Sequence, residues 1–276
     1  MTVLSRPDVT QLLTDHGLAP RRDLGQNFVA DPNTGRRIAR LAGVGPGDHV
    51  LEIGAGLGSL TLALAETGAT VRAVEVDRGI LPVLRQVVAP HTNVTVIDAD
   101  AMQLDWAELL AGHHRWVLVA NLPYNVATPL ICDLLDDVPA VQRMLVMVQR
   151  EAADRFCARP RTPAYGAVTV KVAYWATARI AGTVPASVFV PKPNVESALA
   201  EIVRRPHPAT PADPAALFGL VRAAFGQRRK MLRRSLHDIV DPDVFVQAGI
   251  DETRRPEELD VEEWGRLTDA WARARR

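Results

Sequence analysis

The chain has 276 residues, 47% of them hydrophobic and 23% charged, with 32 Lys or Arg balanced by 32 Asp or Glu. That composition belongs to an ordinary globular protein and excludes fibrous and disordered classes, while the length allows one large or two unequal domains. A formal net charge of zero excludes a generic polyanion binder, so any nucleic-acid contact must come from local segregation of charge.

At the amino terminus, Arg6, Asp8 and Gln11 interrupt the apolar run that an export signal would need, and the most apolar internal stretch, residues 144–148, is far too short to span a bilayer. A cytoplasmic location without membrane contact is expected. Cys132 and Cys157 fall in helical patterns with no CxxC pair and no histidine at a ligand spacing, so they read as reduced packing thiols, and no metal site is expected.

From residue 48 to 203, short β-branched runs alternate with helical patterns, the signature of an α/β domain on a mostly parallel sheet. Strands are predicted at 50–53, 70–75, 94–97, 116–120, 145–148, 178–184 and 198–203, about seven in all. Helices are predicted between them at 60–65, 80–88, 127–135, 151–158 and 166–175. Four prolines between Pro206 and Pro214 cannot continue a strand, which divides the chain into domains 1–205 and 206–276. Beyond that point 215–225, 231–239, 244–248 and 261–274 read as helices, with Asp213 and Asp241 as caps before Pro214 and Pro242. Charge is segregated in this small helical domain. Residues 222–237 hold six Arg or Lys and no acid, whereas the stretch 251–263 is strongly acidic.

The first strand runs through Val50-Leu51-Glu52-Ile53 into Gly54-Ala55-Gly56-Leu57-Gly58-Ser59. Glycine there lets backbone approach a ligand, although Ser59 stands where a dinucleotide fingerprint would want a third glycine, and the loop alone could be only a tight turn. The next strand ends at Glu75, 21 residues after Gly54, where a carboxylate can accept both ribose hydroxyls. The third closes on Asp98-Ala99-Asp100, a polar loop able to take the amino group of an adenine. Gly54, Gly56, Glu75 and Asp100 thus converge on one nucleoside, the alternative being that the two acids are merely solvated.

The fourth strand leads into Asn121-Leu122-Pro123-Tyr124. The tetrad resembles the motif of adenine and cytosine amino-methyltransferases. An exocyclic amine has its lone pair delocalised into the ring, so it must be held by acceptors: the Asn121 side chain and the Leu122 carbonyl, with Tyr124 stacked on the base. Further segments are similar to those of one family, the KsgA/RsmA ribosomal RNA adenine dimethyltransferases: Gly25-Gln26-Asn27-Phe28-Val29, the run from Met147 to Arg155, the loop from Phe189 to Ser197, and Gln227-Arg228-Arg229-Lys230 with Arg233 and Arg234. Val29 stands where the family has leucine.

The resemblance covers nearly the whole chain. It implies a Rossmann-like class I S-adenosylmethionine-dependent methyltransferase domain with a small helical C-terminal domain. Residues 1–47 are expected to fold over S-adenosylmethionine, with Asn27, the Val29 backbone and Asn121 touching it. Phe189 is expected to stack on the target base opposite Tyr124. Arg228, Arg229, Lys230, Arg233 and Arg234 are expected to neutralise phosphates of 16S rRNA in the immature small subunit, the alternative for Arg228, Arg229 and Lys230 being that they are helix-terminus charges or pair with Glu257, Glu258 or Glu262. The implied activity is dimethylation of adenine N6 at two adjacent positions near the 3′ end of that RNA by a monomer. The alternatives are an Erm-type enzyme of large-subunit RNA, a noncatalytic factor of the same fold, and a small-molecule methyltransferase.

Overall fold

The computed structural model describes residues 2–21, 23–123 and 126–275. In chain order the strands are β1 (Phe28–Val29), β2 (His49–Ile53), β3 (Thr70–Glu75), β4 (Val94–Asp98), β5 (Trp116–Asn121), β6 (Val141–Gln149), β7 (Ala176–Val184), β8 (Phe189–Val190) and β9 (Ser197–Arg204). Seven of these form one sheet in the order β4-β3-β2-β5-β6-β9-β7, and β1 pairs with β8 in a separate antiparallel ladder. The pairs from β4 across to β6 are parallel, and β9 then runs antiparallel to β6. Parallel strands are covered on both faces and therefore read as nearly unbroken apolar runs. Leu118, Val119 and Ala120 of β5 and Val146, Met147 and Val148 of β6 are accordingly all buried.

Register places the strand ends together. Ile53 lies beside Val74, Glu75 beside Asp98, and Asn121 beside Met147. The residues that follow β2, β3, β4 and β5 therefore emerge at one edge, the carboxyl end of the parallel strands, where α/β sheets bind ligands.

Helices α1 (Arg6–Asp15), α2 (Pro32–Ala42), α3 (Ser59–Ala65) and α4 (Leu81–Val88) cover this part of the sheet, and further along the chain come α5 (Trp106–Leu109), α6 (Ala127–Asp137), α7 (Arg150–Phe156) and α10 (Leu232–Ser235) besides those described below. The start of α2 is set by Asp31, whose carboxylate accepts from the Asn33 and Thr34 amides, and its end by Gly43 in the left-handed region. Val9, Leu12 and Leu13 of α1 and Ile38, Ala39 and Ala42 of α2 join the main core. Helices α1 and α2 thus belong to the scaffold, and among the described residues before β2 it is 24–29 that line the cavity described below.

Two compact units are present, Met1–Ala153 with Arg179–Val203, and Asp154–Ala178 with Arg204–Arg276. A single cut at residue 205 is thus too simple: residues 154–178, expected as a crossover of the first domain, belong to the second unit. The cause lies in packing. Tyr165, Val170 and Tyr174, around α8 (Ala167–Trp175), share a core with Leu217, Phe218 and Val221 of α9 (Pro214–Gly226), Phe245 of α11 (Pro242–Ala248) and Trp264 of α12 (Val261–Ala274). The buried phenols of Tyr165 and Tyr174 donate to the carbonyls of Leu259 and Ala212. Asp213 caps α9 through the Ala216 amide, as expected, while Asp241 holds the cap position of α11 without a side-chain bond. Among the described residues no helix is long and apolar enough to cross a membrane, and no cluster of three metal-ligating side chains occurs.

Candidate active site

The glycine loop after β2 turns within van der Waals reach of its neighbours. Gly54 has φ 74°, and a Cβ there would lie 3.5 Å from Pro123. At Gly56, φ is 57° and a Cβ would come within 3.0 Å of the Phe28 ring. A side chain at Gly56 would therefore be strained by its backbone and by its neighbour at once. The Gly56 amide donates to Glu75 Oε2 (2.7 Å), and the amides of Val76 and Asp77 donate to Oε1 (3.0 and 2.9 Å). These three bonds fix the carboxylate at the end of β3 and leave lone pairs for a diol. Burial raises the Glu75 carboxyl above its ordinary range, against the pull of those amides.

Two adjoining cavities lie on this edge. Leu24, Gly54, Val76 and Pro123 line both, so they form the two ends of one cleft. Asn27, Val29, Gly56, Glu75 and Asn121 line the first, and Asp100 the second with Ile53, Val74 and Met102. Asp100 also caps the turn that follows it, accepting from the Met102 amide (2.9 Å) and the Gln103 side chain (3.2 Å). Apolar walls with an acid at the rim suit a purine, and a buried acid between the two ends suits a ribose.

Two lining residues escaped the sequence reading. Glu52, on β2, is 1% exposed, and burial pushes its carboxyl up to about 8, against the pull of the nearby Thr61 hydroxyl and with the Glu75 charge adding to the rise. Among the described residues its Oε2 has no hydrogen-bond partner, and neither does the buried hydroxyl of Ser59, which lines the same cavity. Buried polar atoms without partners are uncommon and mark a place built for a polar ligand. An acid in the middle of the apolar run Val50 to Ile53 was the available signal. The α-amino and carboxylate groups of a methionine moiety would satisfy these atoms, so the residues present fit S-adenosylmethionine along the whole cleft.

Asn121 ends β5 with its amide at the cleft. Its Nδ2 donates to the Asn27 carbonyl (2.9 Å), and the described residues place no donor on its Oδ1. Leu122 is buried, donates its amide to the Met147 carbonyl and turns the chain into Pro123. Tyr124 lies outside the described residues. Phe189 differs from expectation. It is 0% exposed, sits in the main core and faces Val29 across the β1–β8 ladder, so in this conformation its ring is a packing group with no free face for a base. Arg6 on α1 clamps the same strand by donating to the carbonyls of Ser187 and Phe189.

In the second unit the basic run is sorted by its partners. Arg228 binds Glu257 (2.6 Å) and the Pro163 carbonyl, and Arg233 binds Glu252 (3.2 Å). Arg229, Lys230 and Arg234 are exposed and make no ion pair with the described residues. The structural alternative therefore fits Arg228, through Glu257, while Arg233, expected only at phosphates, is paired with Glu252.

Comparison with known proteins gives a consistent result. Residues 17–273 match the family described as ribosomal RNA adenine dimethylase. The protein named ribosomal RNA small subunit methyltransferase A of Bifidobacterium adolescentis is 43% identical over 284 residues, covering 97% of this chain and 94% of its own, and that of Kineococcus radiotolerans is 45% identical with 96% and 91% covered. A crystal structure of a dimethyladenosine transferase from Plasmodium falciparum superposes with a TM-score of 0.74 at 21% identity, covering 87% of this chain and 95% of that one. That of the 23S rRNA methyltransferase ErmE gives 0.66 at 26% identity, with 89% and 100% covered. The expected fold class is thereby met: a class I methyltransferase sheet with an added helical region.

Proposed function

Since the chain belongs to the ribosomal RNA adenine dimethylase family, we propose that it transfers methyl groups from S-adenosylmethionine to N6 of two adjacent adenines near the 3′ end of 16S rRNA, giving N6,N6-dimethyladenosine in the small ribosomal subunit. The immature subunit is the proposed form of the substrate, met in the cytoplasm. The observation that carries this reading is the meeting, at one sheet edge, of a cleft lined by Glu75 and Asp100 and an Asn121 amide whose Oδ1 meets no donor among the described residues.

When bound, the sulfonium of S-adenosylmethionine supplies both the activated methyl and its leaving group. The chain has to bind and align. Glu75 holds the ribose, Asp100 the adenine amino group, and Glu52 with Ser59 the methionine end. In the first transfer the target amine would be gripped by the Asn121 Oδ1 and the Leu122 carbonyl, each accepting one N–H; in the second the monomethylated amine has one N–H left and would keep one of these acceptors, its nitrogen lone pair again freed for the incoming methyl. Because a sulfonium is a good leaving group no strong base is required, in keeping with the lack of histidine or lysine among the described lining residues, and the amine proton is lost to solvent. Alignment of this kind is worth up to roughly 7–11 kcal/mol. An adenine inside a helix cannot present N6 to this edge, so the base must be unpaired or flipped, at a cost of a few kcal/mol. Arg229, Lys230 and Arg234 contact phosphates, which set position and affinity more than sequence.

The test is incubation of both ribosomal subunits with methyl-labelled S-adenosylmethionine, followed by nucleoside mass spectrometry. Dimethyladenosine in small-subunit RNA is expected. Label in large-subunit RNA alone would transfer the case to the 23S rRNA activity for which ErmE is named.

A further inference from the structure

The carboxylate of Asp77 has no task in the reading above, yet it is 7% exposed, two residues beyond the ribose acid. A buried carboxylate must be compensated by hydrogen bonds, so its partners show its purpose. Oδ2 accepts from Gln26 Nε2 (2.7 Å), Oδ1 accepts from the Gly79 amide (3.0 Å), and the Arg21 guanidinium lies 4.0 Å away. The Gln26 carbonyl oxygen in turn accepts from the Arg21 amide (2.8 Å). Both ends of the Gln26 side chain are thereby held, and Gln26 precedes the residue whose carbonyl binds Asn121 Nδ2. On the far side, β1 is fastened by its ladder to β8 and by the Ala30 amide to the Val188 carbonyl.

The consequence concerns the polarity of one amide. A side-chain amide can turn either its oxygen or its NH₂ toward a ligand, and only the oxygen can accept from an exocyclic amine. With the Asn27 carbonyl fixed opposite Nδ2, the reversed orientation would set two oxygens against each other. Resting on the function proposed above, we infer that Gln26 and Asp77 are positioning residues for methyl transfer: together they hold the Asn27 carbonyl where it locks Asn121 with its acceptor toward the target amine.

The test is Gln26→Glu, which keeps size and shape but sets a second carboxylate against Asp77, and its partner Gln26→Glu/Asp77→Asn. In the double variant the new amide at position 77 donates to the new carboxylate at position 26 while its oxygen still accepts from Gly79, so the bond is restored with its polarity reversed. The single variant should lower kcat at saturating cofactor and RNA at least about tenfold, and hydrogen exchange of amides 25–29 in the free protein should accelerate by a similar factor. The double variant should recover both to within about threefold. Unchanged kcat and exchange in the single variant would overturn the inference, as would a double variant that recovers neither. Should the single variant unfold, the double variant still decides by the same two readouts. The proposed function fails separately: unmutated protein would then leave small-subunit RNA unmethylated, whereas the exchange data would still report on the tether.

Discussion

Replacing Glu52 with glutamine should stabilise the free protein, increasingly so as pH rises. The carboxyl is buried and its Oε2 has no partner among the described residues, and burial lifts it from an ordinary value near 4.5 to about 8. A raised value means that the unfolded chain releases this proton more readily than the folded one. The stability linked to the group is therefore complete below pH 4.5 and is lost as pH climbs through about 8. One pH unit is worth about 1.4 kcal/mol, so the advantage of Glu52→Gln should be about 4 kcal/mol larger at about pH 8.5 than at about pH 5. Urea unfolding of both proteins at a series of pH values measures this directly. Cofactor binding should move the opposite way, because a cationic amino group beside Glu52 favours its ionised form: calorimetry near neutral pH should show proton release in the unmutated protein and none, with weaker binding, in the variant. A stability difference that stays flat across that pH range would refute the reasoning, since it would mean that Glu52 is already solvated or paired.

Asn121→Ala should abolish turnover while leaving S-adenosylmethionine binding within about tenfold, measured by calorimetry beside a methylation assay, because Asn121 serves the acceptor amine more than the cofactor; near-normal turnover would show that the amine is held elsewhere. Gly56→Ala combines a φ of 57° with a contact of 3.0 Å to Phe28, and should cost about 1–3 kcal/mol in unfolding free energy together with a clear loss of cofactor affinity. Reversing Arg229, Lys230 and Arg234 to glutamate should weaken RNA binding and reduce the slope of log K against log salt by about 2–3, as expected for three lost phosphate contacts. Arg228→Glu should act otherwise, since it breaks the bond to Glu257 and should appear first as a lower melting temperature.

Much of the cleft was legible because its chemistry is written at strand ends. An apolar run into Gly54 and Gly56, an acid ending β3 and Asn121 ending β5 are local patterns, and a parallel sheet brings such ends to one edge regardless of side-chain detail. What stayed hidden depends on long-range contacts. Helix α8 is apolar around its circumference, so its pattern names no partner, and only the packing of Tyr165, Val170 and Tyr174 against α9 and α12 assigns it to the second unit. The division of Arg228 and Arg233 from Arg229, Lys230 and Arg234 needs acids 29 and 19 residues away. Phe189 looked like a stacking group by resemblance, but its ladder with β1 encloses the ring. Glu52 was visible as an acid inside a buried strand, yet its neutral form and unpartnered oxygen required the cavity.

The central claim is that the exocyclic amine of an adenine is the group gripped at Asn121. Small subunits in which the two target adenines near the 3′ end of the RNA are replaced by guanine test it most directly, with methyl-labelled S-adenosylmethionine as donor. Label is expected on the unaltered particle and none on the substituted one. Equal labelling of both would contradict it.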